Sequence, residues 1–546
     1  MRMPTLRSAG PVTALAAVLG LAACSSGTPP RSASVAATPT SGVAIPSVSP
    51  GDTRGLARVA ALRFLDAWAG HRYGELGALV DDQTSDLTKI YTQLAQRLQV
   101  DRIEVTPGAL DPAGTALPYH ATLFLHGLGP LDVDNVVALT TVGGAVRVAF
   151  TSSTVFPGLV AGQRVVRTAT GRGRLLDRTG VPLAGVDRDL DVNVLGPVGP
   201  DGHGTGGLQA ALDGRLAGAG AAVQVIDVTT GAVVRTVKQY GSPVGAPDLR
   251  TTLDPAIQRA AQAALAGASG PAALVAIDTA TGEVRAAANH PFTGFPLAVA
   301  GSYAPGSTFK VVTALAALVL GASPDSTVDC PATITAGGKV FRNKEPGTRG
   351  RISLREAFAQ SCNTAFIGLA QQLPQGSISA MARQLGFNAG GPLPIRSVGG
   401  SLPPPVDTAE AAADAIGQGR VEASPLSMAA VAAAAADGTW RQPHLLACPA
   451  CGSHLLAAGA VAALRSMMRT AVTSGTATAL SAVPGGPVFA KTGTAEYGTA
   501  SPPATHAWMI GFQGGLAFAV YVATGASGGQ VAGPLAARFL TQLAHR

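Results

Sequence analysis

The stretch Ala304-Pro305-Gly306-Ser307-Thr308-Phe309-Lys310 runs into Val311-Val312-Thr313-Ala314-Leu315-Ala316-Ala317-Leu318-Val319-Leu320 and then Gly321. Pro305-Gly306 breaks the chain, the apolar run predicts a helix, and Gly321 is a stop signal. A helix that is apolar all round is buried, which here places Ser307 at a buried N-terminal end. Positions i and i+3 share a helix face, so Lys310 is expected directly under Ser307. A serine hydroxyl is a poor nucleophile without a neighbouring base. Burial drives a lysine toward its neutral amine, the form that takes a proton. The positive helix end and the Ser307 N–H suit a developing oxyanion.

Two further runs complete the chemistry. Ser361-Cys362-Asn363 lies 54 residues after Ser307, and Lys491-Thr492-Gly493-Thr494 begins 130 residues after Ser361. Ser361 supplies a hydroxyl able to relay a proton, and Asn363 an amide that donates and accepts. Val488-Phe489-Ala490-Lys491 reads as the end of a strand, and Gly493 permits close approach of a ligand. Lys491, Thr492 and Thr494 are expected to hold a substrate carboxylate, with the Thr494 N–H completing an oxyanion hole. Each run alone is commonplace; all three in this order describe one serine acyl-transfer site. Lysine usage agrees: the chain has only six lysines among 39 Lys and Arg. Two of the six stand in these runs, where a group that can lose its proton is useful and arginine is not.

The surrounding sequence resembles the penicillin-binding proteins, within them the monofunctional class B transpeptidases. Arg172-Gly173-Arg174-Leu175-Leu176-Asp177-Arg178-Thr179-Gly180 resembles that family's R-G-x-I-x-D-R-N-G signature, with Thr179 where Asn is usual. Thr252-Leu253-Asp254 with Gln258 resembles the opening of its transpeptidase domain. Ala276-Ile277-Asp278 to Gly282-Glu283-Val284 is similar to its first strand pair. Ile416-Gly417-Gln418-Gly419, Ser424-Pro425-Leu426 and His506-Ala507-Trp508 to Gly511-Phe512 resemble further family segments, with Met509 where Phe is common.

The resemblance implies an α+β multidomain protein whose catalytic domain is an antiparallel sheet flanked by helices. It implies a D,D-transpeptidase that acylates Ser307 with D-Ala–D-Ala stem peptides, cross-links peptidoglycan and is trapped by β-lactam antibiotics. No metal or organic cofactor is required. A serine β-lactamase and a D,D-carboxypeptidase share the site. The first needs an activated water, and no E-x-x-L-N-like run follows Ser361 to hold one. A non-catalytic β-lactam-binding module is the reading from a different class; the intact Ser307, Lys310, Ser361 and Lys491 argue against it.

At 546 residues the chain is too long for one core. Its 47% hydrophobic and 13% charged residues describe a globular protein. A net charge of +7 without a dense basic run or interleaved aromatics does not indicate nucleic-acid binding. Arg2, Arg7 and the apolar Ala9–Ala23 stretch have the anatomy of a secretory signal. Leu21-Ala22-Ala23-Cys24 resembles a bacterial lipobox, which implies lipidation of Cys24 and anchorage to the outer face of the cytoplasmic membrane. The expected domains are a signal peptide (1–23), a Ser/Pro/Thr-rich tether (24–52), and an α+β domain (53–160) that resembles the NTF2-like domain of methicillin-resistance-type proteins. A pedestal or dimerisation domain (161–250) and the transpeptidase domain (251–546) follow. A membrane glycan polymerase is a further expected partner. Cys448-Pro449-Ala450-Cys451 reads as a local disulfide or a loop; His444 and His454 beside it leave a weaker zinc reading, with no second ligand pair to support it.

Overall fold

The structure is a computed structural model that describes residues 42–545 apart from 200–201, 219, 242–244, 292–293 and 346. Cys24, the leader and most of the tether lie outside the described residues.

The N-terminal region folds a helix, Thr53–Ala69, onto a four-stranded antiparallel sheet of Val100–Pro107, Ala116–Leu125, Gly129–Val142 and Ala145–Val148 in sequential order. Asp52 caps the helix by accepting from the Gly55 N–H. Alternation makes the sheet one-sided: Leu117, Tyr119, Ala121, Leu123 and Leu125 are buried while their neighbours face out. Trp68 meets Tyr119 edge-on and Phe64 meets Tyr91, so these aromatics form the core. The helix Leu87–Leu98 and the strand Val100–Pro107 have no counterpart in the sequence reading. That strand buries only Ile103, so its alternation is too weak to register.

The middle region is a three-stranded sheet of Gln163–Thr170, Gly220–Asp227 and Val233–Tyr240, with Leu175–Leu176 pairing parallel to Leu249–Arg250. Its apolar residues are shared with its neighbours. Val165, Val223 and Val225 join the N-terminal core, and Leu175, Leu183 and Leu190 join the C-terminal one. The Arg172–Gly180 signature is structural here. The Arg172 guanidinium bonds Asp213, Gln209 and the Gly202 carbonyl, and Asp177 Oδ1 accepts from the N–H groups of Thr179, Gly180 and Val181.

The C-terminal region is built on a five-stranded antiparallel sheet: β1 (Ala272–Asp278), β2 (Val284–His290), β3 (Val488–Tyr497), β4 (Ala504–Gln513) and β5 (Leu516–Val522), in the spatial order β2-β1-β5-β4-β3. Both faces are covered, so β1 reads as a continuous apolar run. Ala272, Leu274 and Ala276 pack with the helices Pro255–Leu265 and Gly533–Ala544; Ala273, Val275 and Ile277 pack with the helix Pro425–Asp437, which is buried from Pro425 to Ala436. Small hairpins and short helices between 327 and 414 form the second lobe, and β3 is left as the sheet edge beside it. Two local expectations change. β3 does not end at Lys491 but runs to Tyr497, because register with β4 continues through Gly493↔Trp508 to Tyr497↔Ala504. Ser307 is not inside the α-helix; it sits in a one-turn 3-10 segment, Gly306–Phe309, leading into the helix Lys310–Val319.

Candidate active site

The turn that carries Ser307 is clamped on two sides. Gly306 has φ +53°, and a side chain there would strike the Thr494 carbonyl of β3. Its N–H donates to the Gly417 carbonyl at 2.9 Å, and a side chain at Gly417 would strike the Gly306 carbonyl. The Ile416–Gly419 run therefore acts by contact with the serine turn. The indole of Trp508 on β4 donates to the Ala304 carbonyl at 3.0 Å, fixing the chain just ahead of it.

Lys310 is fully buried. Its Nζ donates to the Ser361 carbonyl and to Asn363 Oδ1, both at 2.7 Å, and lies 3.4 Å from Ser361 Oγ. Rather than turning to Ser307, the amine is aimed at the S-x-N run. Burial, reinforced by the nearby Lys491 charge, holds it well below the ordinary lysine range. Lys491, also fully buried, donates to Ser361 Oγ at 2.9 Å and to the Thr492 carbonyl at 3.0 Å. Burial brings its pKa down to about 7. Ser361 thus stands between two amines, in the left-handed region at φ +60°, a conformation a non-glycine residue rarely holds without support.

That support comes from residues the sequence did not single out. Asn343 Oδ1 accepts from the N–H groups of Asn363 (2.8 Å) and Thr364 (3.1 Å), capping the helix Asn363–Gln372, while its Nδ2 donates to the Pro331 carbonyl at 2.9 Å. Asn363 Nδ2 donates to the Arg342 carbonyl at 3.1 Å. Cys362, the free middle position of the run, forms a disulfide with Cys330 on the strand Thr327–Cys330. On the sheet side, the Thr492 hydroxyl pairs with that of Thr476 at 2.6 Å, and Thr494 Oγ1 accepts from the Gly528 N–H at 3.3 Å. The eight catalytic and substrate-binding residues expected from the sequence therefore stand on neighbouring elements around Ser361. Cys448 and Cys451 are joined by a disulfide, so neither thiol is available as a zinc ligand; His454 stacks on Trp440.

Residues 272–541 match the family described as the penicillin binding protein transpeptidase domain. The peptidoglycan D,D-transpeptidase PbpA of Mycobacterium tuberculosis is 31% identical over 347 residues, which span 52% of this chain and 70% of that protein. The chain belongs to the penicillin-binding-protein D,D-transpeptidases. Among solved structures, the D,D-transpeptidase domain of a peptidoglycan glycosyltransferase from Eggerthella lenta superposes with a TM-score of 0.57 at 25% identity, covering 69% of this chain and 99% of that one. A ceftriaxone acyl-enzyme of penicillin-binding protein A from M. tuberculosis shares the fold with a TM-score of 0.58 at 24% identity, over 68% and 98% of the two chains.

Proposed function

We propose that Ser307 is the acylated nucleophile of a peptidoglycan D,D-transpeptidase and that Lys310, Ser361 and Asn363 serve its proton transfers. The observation that carries this reading is the meeting of Lys310 and Lys491 at Ser361, with Asn363 Oδ1 accepting from the Lys310 amine, behind a serine held on a clamped turn. Lys310, kept neutral, takes the Ser307 proton as Oγ bonds to the penultimate D-Ala carbonyl carbon. The Ser307 and Thr494 N–H groups receive the oxyanion. The amide C–N bond breaks, the proton passes through Ser361 to the departing D-Ala amine, and an ester remains on Ser307. An amine of a neighbouring stem then attacks the ester, losing a proton to the same base, and frees the serine. Lys491, Thr492, Gly493 and Thr494 bind the terminal carboxylate. A β-lactam carries the same carboxylate and a strained amide, and leaves an acyl-serine that is slow to hydrolyse.

The enzyme works on the cell wall, outside the cytoplasm. No helix among the described residues is long and apolar enough to cross a membrane. The Cys24 lipobox supports a lipid anchor, and residues 53–250 serve as an NTF2-like spacer and pedestal that lift the site toward the wall and toward a membrane glycan polymerase. Fractionation of Cys24→Ala tests the anchor: the variant should leave the membrane, and unchanged fractionation would refute it.

Intact-mass spectrometry after exposure to benzylpenicillin tests the chemistry. One adduct per chain is expected, mapped to the Ser307 peptide and absent from Ser307→Ala. Clearance of the adduct within seconds would make the protein a hydrolase.

A further inference from the structure

Besides Lys491, which reaches Ser361, a second lysine joins the two walls of the cleft. On the lobe side, Arg342 and Asn343 hold the S-x-N run. The next residue, Lys344, reaches the other side and donates from Nζ to the Ala526 carbonyl at 2.5 Å. Ala526 lies in the segment that leaves β5 and returns along the sheet edge. There the Gly525 N–H donates to the Thr505 carbonyl at 2.9 Å, and the Gly528 N–H to Thr494 Oγ1 at 3.3 Å. An exposed lysine therefore spans the mouth of the cleft from the S-x-N wall to the K-T-G-T wall.

Its charge is under-used. Among the described residues no carboxylate lies within ion-pair distance of Lys344, and its one hydrogen bond goes to a neutral carbonyl. The acidic groups that act on it are Glu345, already paired with Arg349 at 3.5 Å, and Glu496 on β3. An ammonium has three donors, and a carboxylate is a stronger acceptor than a peptide carbonyl. The position of Glu496 locates the substrate segment that Lys344 would meet. As the sheet edge, β3 can take an extended peptide as an added antiparallel strand. If the peptide's terminal carboxylate sits at Lys491, the residues upstream of the scissile amide run past Ala495, Glu496 and Tyr497. Glu496, whose charge acts on Lys344, stands along that upstream stretch.

We propose that Lys344 is a specificity-determining residue of the acyl-donor site, favouring donors that carry a carboxylate upstream of the scissile amide. On binding, the ammonium exchanges the Ala526 carbonyl for that carboxylate, while Glu496 opposes it and sharpens the placement. This inference rests on the assignment of Ser307 as the acylated residue.

Benzylpenicillin and carbenicillin test it, because they share one nucleus and differ by a single carboxylate on the side chain that mimics the upstream residue. Second-order acylation rates of the full-length protein are measured for both drugs. Lys344→Gln should lower the carbenicillin-to-benzylpenicillin rate ratio roughly three- to fivefold, the scale of a partly exposed ion pair. Lys344→Glu should lower it further, Lys344→Arg should retain it, and Glu496→Gln should raise it. A ratio unmoved by Lys344→Gln and Lys344→Glu, with both drugs still acylating Ser307, would overturn this inference and leave the transpeptidase reading intact. Parallel changes for the two drugs would likewise overturn it, showing a steric clasp without charge selection. No acylation of the unmodified protein by either drug would overturn the site assignment and this inference with it.

Discussion

The two walls of the cleft are held by different physics. The K-T-G-T wall is a sheet edge: its residues are placed by ten paired positions between β3 and β4, and its neighbours by close backbone approach at Gly493 and Gly306. The S-x-N wall has no ladder. Ser361 is kept in a left-handed conformation by the Asn343 side chain, the Cys330–Cys362 disulfide and the Lys310 amine. A wall of backbone register tolerates loss of single side-chain contacts but not added bulk. A wall of side-chain tethers behaves the opposite way.

Lys310 belongs to both descriptions, since it lies on a buried helix and ties down Ser361. Lys310→Arg keeps the positive charge but cannot accept the serine proton, so labelling by fluorescent penicillin should fall by on the order of 10²–10⁴. Labelling at the normal rate would remove Lys310 from the base role.

The contrast between walls predicts opposite responses to small changes. Gly493→Ala places a methyl 2.6 Å from the Pro305 carbonyl, 2.8 Å from Thr308 Cγ2 and 3.0 Å from Trp508 Cβ. Neither the backbone nor the indole can give way cheaply, so it should lower the melting temperature and the acylation rate together. Asn343→Ala removes bulk instead. It strips the cap from the Asn363 and Thr364 N–H groups, at about 1–3 kcal/mol for each donor left unpaired. Acylation should slow by on the order of tenfold or more, with a smaller fall in melting temperature because the tether is local. If Gly493→Ala acylates normally while Asn343→Ala unfolds the protein, the assignment of the two walls is reversed.

The two disulfides refine the comparison. Cys330–Cys362 closes a separation of 32 residues and includes the middle position of the S-x-N run, whereas Cys448–Cys451 closes a separation of three and includes no site residue. Loop-closure arguments give the longer bridge the larger effect, about 3–4 kcal/mol. The pair Cys330→Ser and Cys362→Ser should lower both melting temperature and acylation rate, whereas Cys448→Ser with Cys451→Ser should leave acylation unchanged. Equal effects of the two pairs would show that the Cys330 tether does not position Ser361.

The same division explains what was legible in advance. S-x-x-K, S-x-N and K-T-G-T were readable because each is a local run whose residue types are dictated by chemistry, and the antiparallel sheet flanked by helices was implied by the family resemblance. Asn343 was not, since a lone asparagine in the connection just past the strand Lys339–Arg342 carries no pattern until the fold brings Pro331 and Asn363 to it. The Cys330–Cys362 pair was missed for the same reason. Cys362 reads as filler within S-x-N, and its partner becomes visible only when the strand Thr327–Cys330 lies alongside. The continuation of β3 to Tyr497 was hidden by K-T-G-T itself, where a glycine amid polar residues reads as a strand end.

The smallest expected effect lies in the pH profile and concerns the two buried lysines. Both are lowered by burial, Lys310 well below the ordinary lysine range with the Lys491 charge adding to the effect, and Lys491 to about 7. The reaction needs Lys310 neutral and Lys491 charged, to take a proton and to hold a carboxylate. The rate constant for acylation by benzylpenicillin reports the free enzyme. It should rise as pH climbs through the lowered Lys310 pKa and decline a few-fold above about pH 7 as Lys491 loses its proton. Stability should move the other way across that second limb. The folded pKa of Lys491, about 7, lies below its unfolded value of 10.5, so between them the unfolded chain binds more protons and stability increases with pH. Lys491→Arg keeps its charge throughout this range and should flatten the alkaline limb of acylation even though guanidinium geometry slows the reaction at every pH. An alkaline limb that persists in Lys491→Arg would show that Lys491 is not the group whose charge recognises the carboxylate.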